Sequence, residues 1–136
     1  MLFKNRSNNK KAIKCMQNGK YEEAITYFKK SFDKFSGDVN FLYNLANCYY
    51  QIGEYKLSID MLDELINIDE SYEDAYNLKA ACFVHLSCFD EALNCLDGYL
   101  EKYSPSQELL NHKKEIEILN NISKKGKIQV NLKEHN

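Results

Sequence analysis

The chain has 136 residues, 44% hydrophobic and 28% charged, with one proline, five glycines and a formal net charge of −2. That composition belongs to a folded, helix-leaning chain rather than a disordered one, and the near-neutral charge supplies no global field for nucleic acid. No apolar run approaches the roughly 20 residues that cross a bilayer, and the start from Met1 to Arg6 lacks the apolar stretch of a secretory signal. The expectation is a cytoplasmic protein with no membrane partner. Cys15, Cys48, Cys82, Cys88 and Cys95 are odd in number and form no Cys-x-x-Cys pair, which reads as reduced thiols.

Charge is uneven along the chain. Residues 1–14 hold Lys4, Arg6, Lys10, Lys11 and Lys14 with no acid, whereas residues 54–74 hold eight acids against Lys56. Apolar residues follow helical spacing from about residue 8 to residue 123. The spacing predicts helices over 7–17, 21–35, 39–51, 55–67, 72–86, 89–102 and 105–124. In the third, Leu42, Leu45, Ala46 and Tyr49 share one face; in the fourth, Tyr55, Ile59, Leu62, Leu65 and Ile66 do. Gly53-Glu54 joins them too tightly for anything but antiparallel packing.

The breaks have chemical causes. Ser36-Gly37-Asp38 ends the second helix and can cap the third, and Ser71 is placed to cap the fifth. Ser104, Pro105 and Gln107 read as cap, first helical residue and capping box for the last helix. That helix carries Leu109, Leu110, Ile116, Leu119 and Ile122 for burial, with Lys113, Lys114, Glu115 and Glu117 facing outward, as an end cap requires. Residues 125–136 lose the helical pattern: Ile128, Val130 and Leu132 alternate with polar residues, as in a strand. An extended tail of this kind offers a clasp for self-association through the groove of the same or a neighbouring molecule.

The pattern recurs every 34 residues. Gly19, Gly53 and Ser87 are so related, as are Tyr21, Tyr55 and Phe89; Ala24, Ser58 and Ala92; Phe28, Leu62 and Leu96; Ala12, Ala46 and Ala80. A period of this length marks stacked helical hairpins, each too small to bury its apolar face alone. These residues resemble the tetratricopeptide repeat (TPR) family over about residues 5–106, in units near 5–38, 39–72 and 73–106. The first unit departs from the pattern at Asn8 and Lys11, and Lys79 replaces a usual leucine.

The resemblance implies an all-α, right-handed α-solenoid: three antiparallel hairpins plus a capping helix over 105–124, forming one domain from 1 to 136. It also implies a concave groove lined by the first helix of each hairpin. The stripe facing it comprises Asn9, Ile13 and Met16, then Tyr43, Asn47 and Tyr50, then Asn77, Ala81 and Val84, flanked by Asn40, Asn44, Gln51, Asp74 and His85. Amides and tyrosines suit an extended peptide, pairing with its backbone and covering its side chains. Some family members grip the carboxylate tail of a chaperone with Lys, Arg and Asn; here those places hold Asn9, Ile13, Asn44, Asp74 and Leu78, which argues against that ligand.

Other chemistry has little support. Cys82, His85 and Cys88 are three residues apart, but a structural zinc site wants four ligands, and a small buried residue is expected at 82. There is no phosphate loop, Gly-x-Ser-x-Gly or His-Glu-x-x-His. The sequence therefore points to a protein or peptide binder with no metal, cofactor or enzymatic activity. An adaptor or scaffold, a client-specific chaperone for export or assembly, and a structural subunit all satisfy it.

Overall fold

A computed structural model describes the backbone of residues 2–135 and the side-chain surroundings of residues 6–127. Among the described residues eight helices follow one another: α1 (Leu2–Gln17), α2 (Tyr21–Lys30), α3 (Phe32–Phe35), α4 (Val39–Gln51), α5 (Tyr55–Ile68), α6 (Glu73–His85), α7 (Phe89–Leu100) and α8 (Gln107–His135). No strand occurs among the described residues. The hairpins α1/α2, α4/α5 and α6/α7 stack in chain order, and α8 packs on α7 and α6. The architecture is the all-α solenoid that the period requires.

The three hairpin turns are built alike. Lys20 N–H donates to Cys15 O at 2.8 Å and Gly19 N–H to Met16 O at 3.0 Å. The same pair of bonds joins Glu54 to Tyr49 and Gly53 to Tyr50, then Cys88 to Phe83 and Ser87 to Val84. This closing motif satisfies the last helical carbonyls and needs one left-handed residue. Gly19 and Gly53 supply it at φ +75° and +82°; Ser87 adopts it at +59° without glycine's freedom.

Small residues let the paired helices approach. Ala12, Ala24, Ala46, Ser58, Ala80 and Ala92 are all fully buried. In the middle hairpin the approach is close enough for Ser58 Oγ on α5 to donate to Ala46 O on α4 at 2.8 Å. Larger side chains fill the space around these contacts. Phe41 bridges the first two hairpins, edge-on to Phe28 at 5.3 Å and stacked on Phe35 at 5.6 Å. One core cluster runs from Ala12 to Leu78; a second holds Ala80, Ala92, Leu96, Tyr99, Leu109 and Ile116. The boundary falls within α6. There Lys79 is half-buried and pairs with Asp63 on α5 at 2.6 Å, so its ammonium stays at the surface beside the core.

Several local expectations are corrected. The second helix does not run unbroken over 21–35. Ser31, fully buried, turns its Oγ back to Phe28 O at 3.2 Å and leaves helical geometry at φ −109°. The first helix begins at Leu2, ahead of the expected 7. Asp38 caps α4 as expected, accepting from Phe41 N–H at 3.1 Å. Ser71 caps nothing; its N–H and Oγ both donate to Asp69 Oδ1. Ser106, not Ser104, caps α8 by accepting from Leu109 N–H at 3.2 Å, so the helix starts at Gln107. Gln107 bonds Asn111 one turn on instead of closing a capping box.

The last helix is longer than 105–124, and the expected extended tail is overturned: the backbone stays helical to His135. Short-range alternation at Ile128, Val130 and Leu132 did not outweigh propagation of a helix already formed, which adds a hydrogen bond per residue. The side chains of these three residues lie outside the described ones. Leu109 and Ile116 are buried as expected, but Leu119 and Ile122 are exposed, at 41% and 61%. Leu109, Ile116 and Asn120 form the stripe that meets the array, and no further helix among the described residues covers the other face.

The close approach predicts that Ala92→Leu destabilises the chain by at least about 1–3 kcal/mol through overpacking. Ser58→Ala should cost no more than about 1 kcal/mol, because Ala46 O keeps its helical partner. The turns predict that Gly53→Ala loses about 1–2 kcal/mol from backbone strain alone, since an added Cβ meets nothing within 4 Å. Ser87→Gly should gain about 0.5–1 kcal/mol after the entropy of the unfolded chain is subtracted. Urea unfolding of the four variants checks both pairs.

Candidate functional site

The first helices of successive hairpins lie side by side, so one face of each is left uncovered by its own partner helix. Between α4, α6 and α8 these faces enclose an open groove of about 640 Å³. It is lined by Tyr43 and Tyr50 from α4, Asp74, Asn77, Leu78 and Ala81 from α6, and Glu108, Asn111, His112 and Glu115 from α8. A second concavity of about 420 Å³, lined by Tyr72, Glu73, Asp74, Ser106 and Glu108, shares Asp74 and Glu108 with the first. The two adjoin at these residues, at the start of α6 and α8.

Five of the expected groove residues line the main cavity: Tyr43, Tyr50, Asp74, Asn77 and Ala81. His85 stands beside it, exposed, stacked on Tyr55 at 4.7 Å and bonded through Nε2 to Tyr50 Oη at 2.9 Å. Asn44 and Asn47 are half-buried, and Asn40 and Gln51 exposed; none lines the cavity. Ile13 and Met16 pack against the first core cluster and Val84 against the second, and none of the three lines the cavity. Asn9 is half-buried, with Oδ1 inaccessible and unpartnered. The first hairpin thus contributes no side chain to the cavity, and α8 replaces it.

The four α8 residues were missed because that helix was read only as a cap. A signal existed. Glu108, Asn111, His112 and Glu115 each lie 34 residues after Asp74, Asn77, Leu78 and Ala81. The period continues into α8 on its groove side, although the hairpin turn that should follow is lost.

Bonds within the groove hold its walls in place. His112 Nδ1 donates to Asn77 Oδ1 at 3.1 Å, tying α8 to α6. Asn77 Nδ2 is buried without a partner. Tyr43 packs on Tyr72 at 5.7 Å. Burial first, then the nearby Asp74, Tyr72 and Glu108, push the Tyr43 hydroxyl up to about 12. Burial also lowers the His112 pKa; Glu115 and Glu108 pull against it and do not prevail. The imidazole is therefore neutral at physiological pH, and the groove's net charge is that of its carboxylates. Among the described residues no three His, Cys, Asp or Glu side chains converge as metal ligands. Cys82 is fully buried, and Cys88 Sγ faces Leu86 O at 3.5 Å. No helix of the described residues is long and apolar enough to cross a membrane.

Comparison with known proteins agrees with this geometry. The Tetratricopeptide repeat family matches residues 16–82. The second TPR domain of human RPAP3, solved with the HSP70 peptide SGPTIEEVD, superposes with a TM-score of 0.74 at 19% identity, over 85% of this chain and 96% of that one. The type III secretion chaperone SycD of Yersinia enterocolitica, in complex with a peptide of the translocator YopD, gives 0.73 at 20% identity over 85% and 93%. The Sgt2 TPR domain from Aspergillus fumigatus gives 0.75 at 12% identity over 89% and 82%. At these identities the likeness establishes a common fold. Residues 16–82 match the tetratricopeptide repeat family, and the chain shares the fold of TPR domains.

Because the folded state holds His112 below its ordinary value of 6.5, its contribution to stability is complete above that value. It is lost as pH falls through the depressed folded-state value, where the unfolded chain takes the proton more readily. NMR titration of the His112 ring should give a midpoint below 6.5, and His112→Gln should flatten the acid limb of the stability profile. A midpoint at or above 6.5 contradicts the burial argument.

Proposed function

We propose that this chain is a non-catalytic adaptor or scaffold that holds a peptide or a protein surface in the groove between α4, α6 and α8. The observation that carries the reading is the convergence of two first helices, α4 and α6, and the capping helix α8 on a cavity of about 640 Å³ lined by tyrosines, amides and carboxylates. An open groove of that size accommodates a segment of extended chain: amides can pair with peptide groups and aromatic faces with side chains. The RPAP3 domain and SycD, which share the fold, are each described in complex with a peptide. The reading takes residues 1–136 as one domain with repeats at 5–38, 39–72 and 73–106.

A non-catalytic role fits the side chains present. None of the five cysteines lines the groove, and Cys48 is pushed up to about 12 by burial, the state of an inert thiol. Five unpaired cysteines suit the reducing conditions of the cytosol. A second reading, a structural subunit of a larger assembly, is favoured by the exposed Ile118, Leu119 and Ile122 on α8. Self-association through α8 and its C-terminal extension is one form of that assembly.

Affinity capture from the native cell, read by mass spectrometry, tests the adaptor. Ala81→Trp fills the cavity from a half-buried position on α6 and should abolish capture while the thermal unfolding curve is kept. Tyr43→Ala with Asn47→Ala should weaken capture mainly through Tyr43, because Asn47 lies off the cavity. Capture that survives the Ala81→Trp plug moves the binding surface elsewhere, with α8 next in line.

A further inference from the structure

The charge of the groove narrows what it can hold. Asp74, Glu108 and Glu115 all line the cavity, and no lysine or arginine does. All three are exposed, and none takes part in an ion pair among the described residues. The nearest cations of α8 are committed or turned away: Lys113 pairs with Asp97 on α7 at 2.7 Å, and Lys114 is not among the lining residues. The acidic surface continues across Asp74 and Glu108 into the second concavity, where Glu73 accepts from Ser106 N–H at 3.2 Å. The negative field is felt inside the groove, since Asp74 and Glu108 both help to raise the Tyr43 hydroxyl.

Carboxylates set in a concave wall concentrate field lines, so their effect on a ligand exceeds that of the same charges on a flat surface. Tyrosine faces beside them add the aromatic surface that a guanidinium or ammonium stacks on. Glu115 lies two turns beyond Glu108 on α8, about 10 Å along the helix axis, so the acids are spread far enough to meet more than one cation of an extended segment. Acidic peptides and nucleic-acid phosphates meet repulsion here, with no lysine or arginine in the lining to offset it.

We infer that the α4–α6–α8 groove is selective for a lysine- or arginine-bearing peptide segment of a partner protein, with Asp74, Glu108 and Glu115 as the charge-reading residues. This rests on the groove being the binding surface and adds the chemistry of the occupant. It is also the opposite charge preference to that of a carboxylate clamp.

The test uses the full chain on an array of random peptides about nine residues long. Bound peptides should be enriched in Lys and Arg, and binding should weaken as salt rises from about 50 mM to about 500 mM. A variant carrying Asp74→Asn, Glu108→Gln and Glu115→Gln should lose that enrichment and bind the strongest wild-type peptides about tenfold less well. All three positions are exposed, so its circular-dichroism melt should match wild type. A bound set without cationic bias, or a bias that survives in the variant, overturns the inference. If such a set is still blocked by Ala81→Trp, the groove reading stands and only the charge argument fails; an array with no bound peptide removes both. Sedimentation of the chain alone separates the remaining case. Concentration-dependent association abolished by the triple variant would mean that the basic first helix of a second copy, with Arg6, Lys10, Lys11 and Lys14 exposed, fills the groove, and would overturn the partner assignment.

Discussion

Close approach of two helices at a small residue is the constraint on which the rest of this molecule depends. Positions 12, 46 and 80 on the first helices and 24, 58 and 92 on the second carry only alanine or serine, all without solvent exposure. The Ser58–Ala46 hydrogen bond marks how near the two backbones come. A longer side chain at any of these places would push the hairpin open and displace every neighbour stacked upon it. The left-handed turn residues fix where each hairpin reverses, and the aromatic and leucine side chains fill what the small residues leave. The same geometry repeated three times gives a stack rather than a globule.

The groove follows from that stacking. Each first helix spends part of its surface on its own partner and part on the next hairpin, which leaves a third face bare. Tyr43 and Tyr50 from one helix, Asn77 and Ala81 from the next, and His112 and Glu115 from the last meet only because the helices are parallel neighbours. The last helix has two duties: Leu109 and Ile116 close the second core cluster, while the side carrying Glu108, Asn111, His112 and Glu115 completes the groove. The His112–Asn77 bond joins these duties, since the burial that the closure creates disfavours a second proton on the imidazole and keeps it a neutral donor.

Most of the helix pattern was legible because period and spacing act locally. Turns at Gly19 and Gly53, the cap at Asp38 and the small residues at 12, 24, 46, 58, 80 and 92 could each be argued from a few neighbouring residues. The misreadings occurred where two local signals competed. Ser104 reads as the cap of the last helix, but Ser106 holds that place and its N–H also donates to Glu73 across the stack. Ser31 looked like an ordinary helical residue until its burial turned its hydroxyl onto the backbone. Alternation beyond Lys125 looked like a strand, but no second strand was available to pair with it and the helix ran on.

The sequence by itself determined the architecture: a 34-residue period with small, aromatic and turn residues in fixed phase admits stacked hairpins and little else, because each element must bury one face against the next. Tertiary structure alone decided which polar residues share a site. Asn9, Ile13 and Met16 carry the same helical phase as Asn77 and Ala81 but stand one hairpin too far away. Glu108, Asn111, His112 and Glu115, in a helix that reads as a lid, face the cavity. Phase along a helix says which way a side chain points; only the arrangement of helices in space says what it points at.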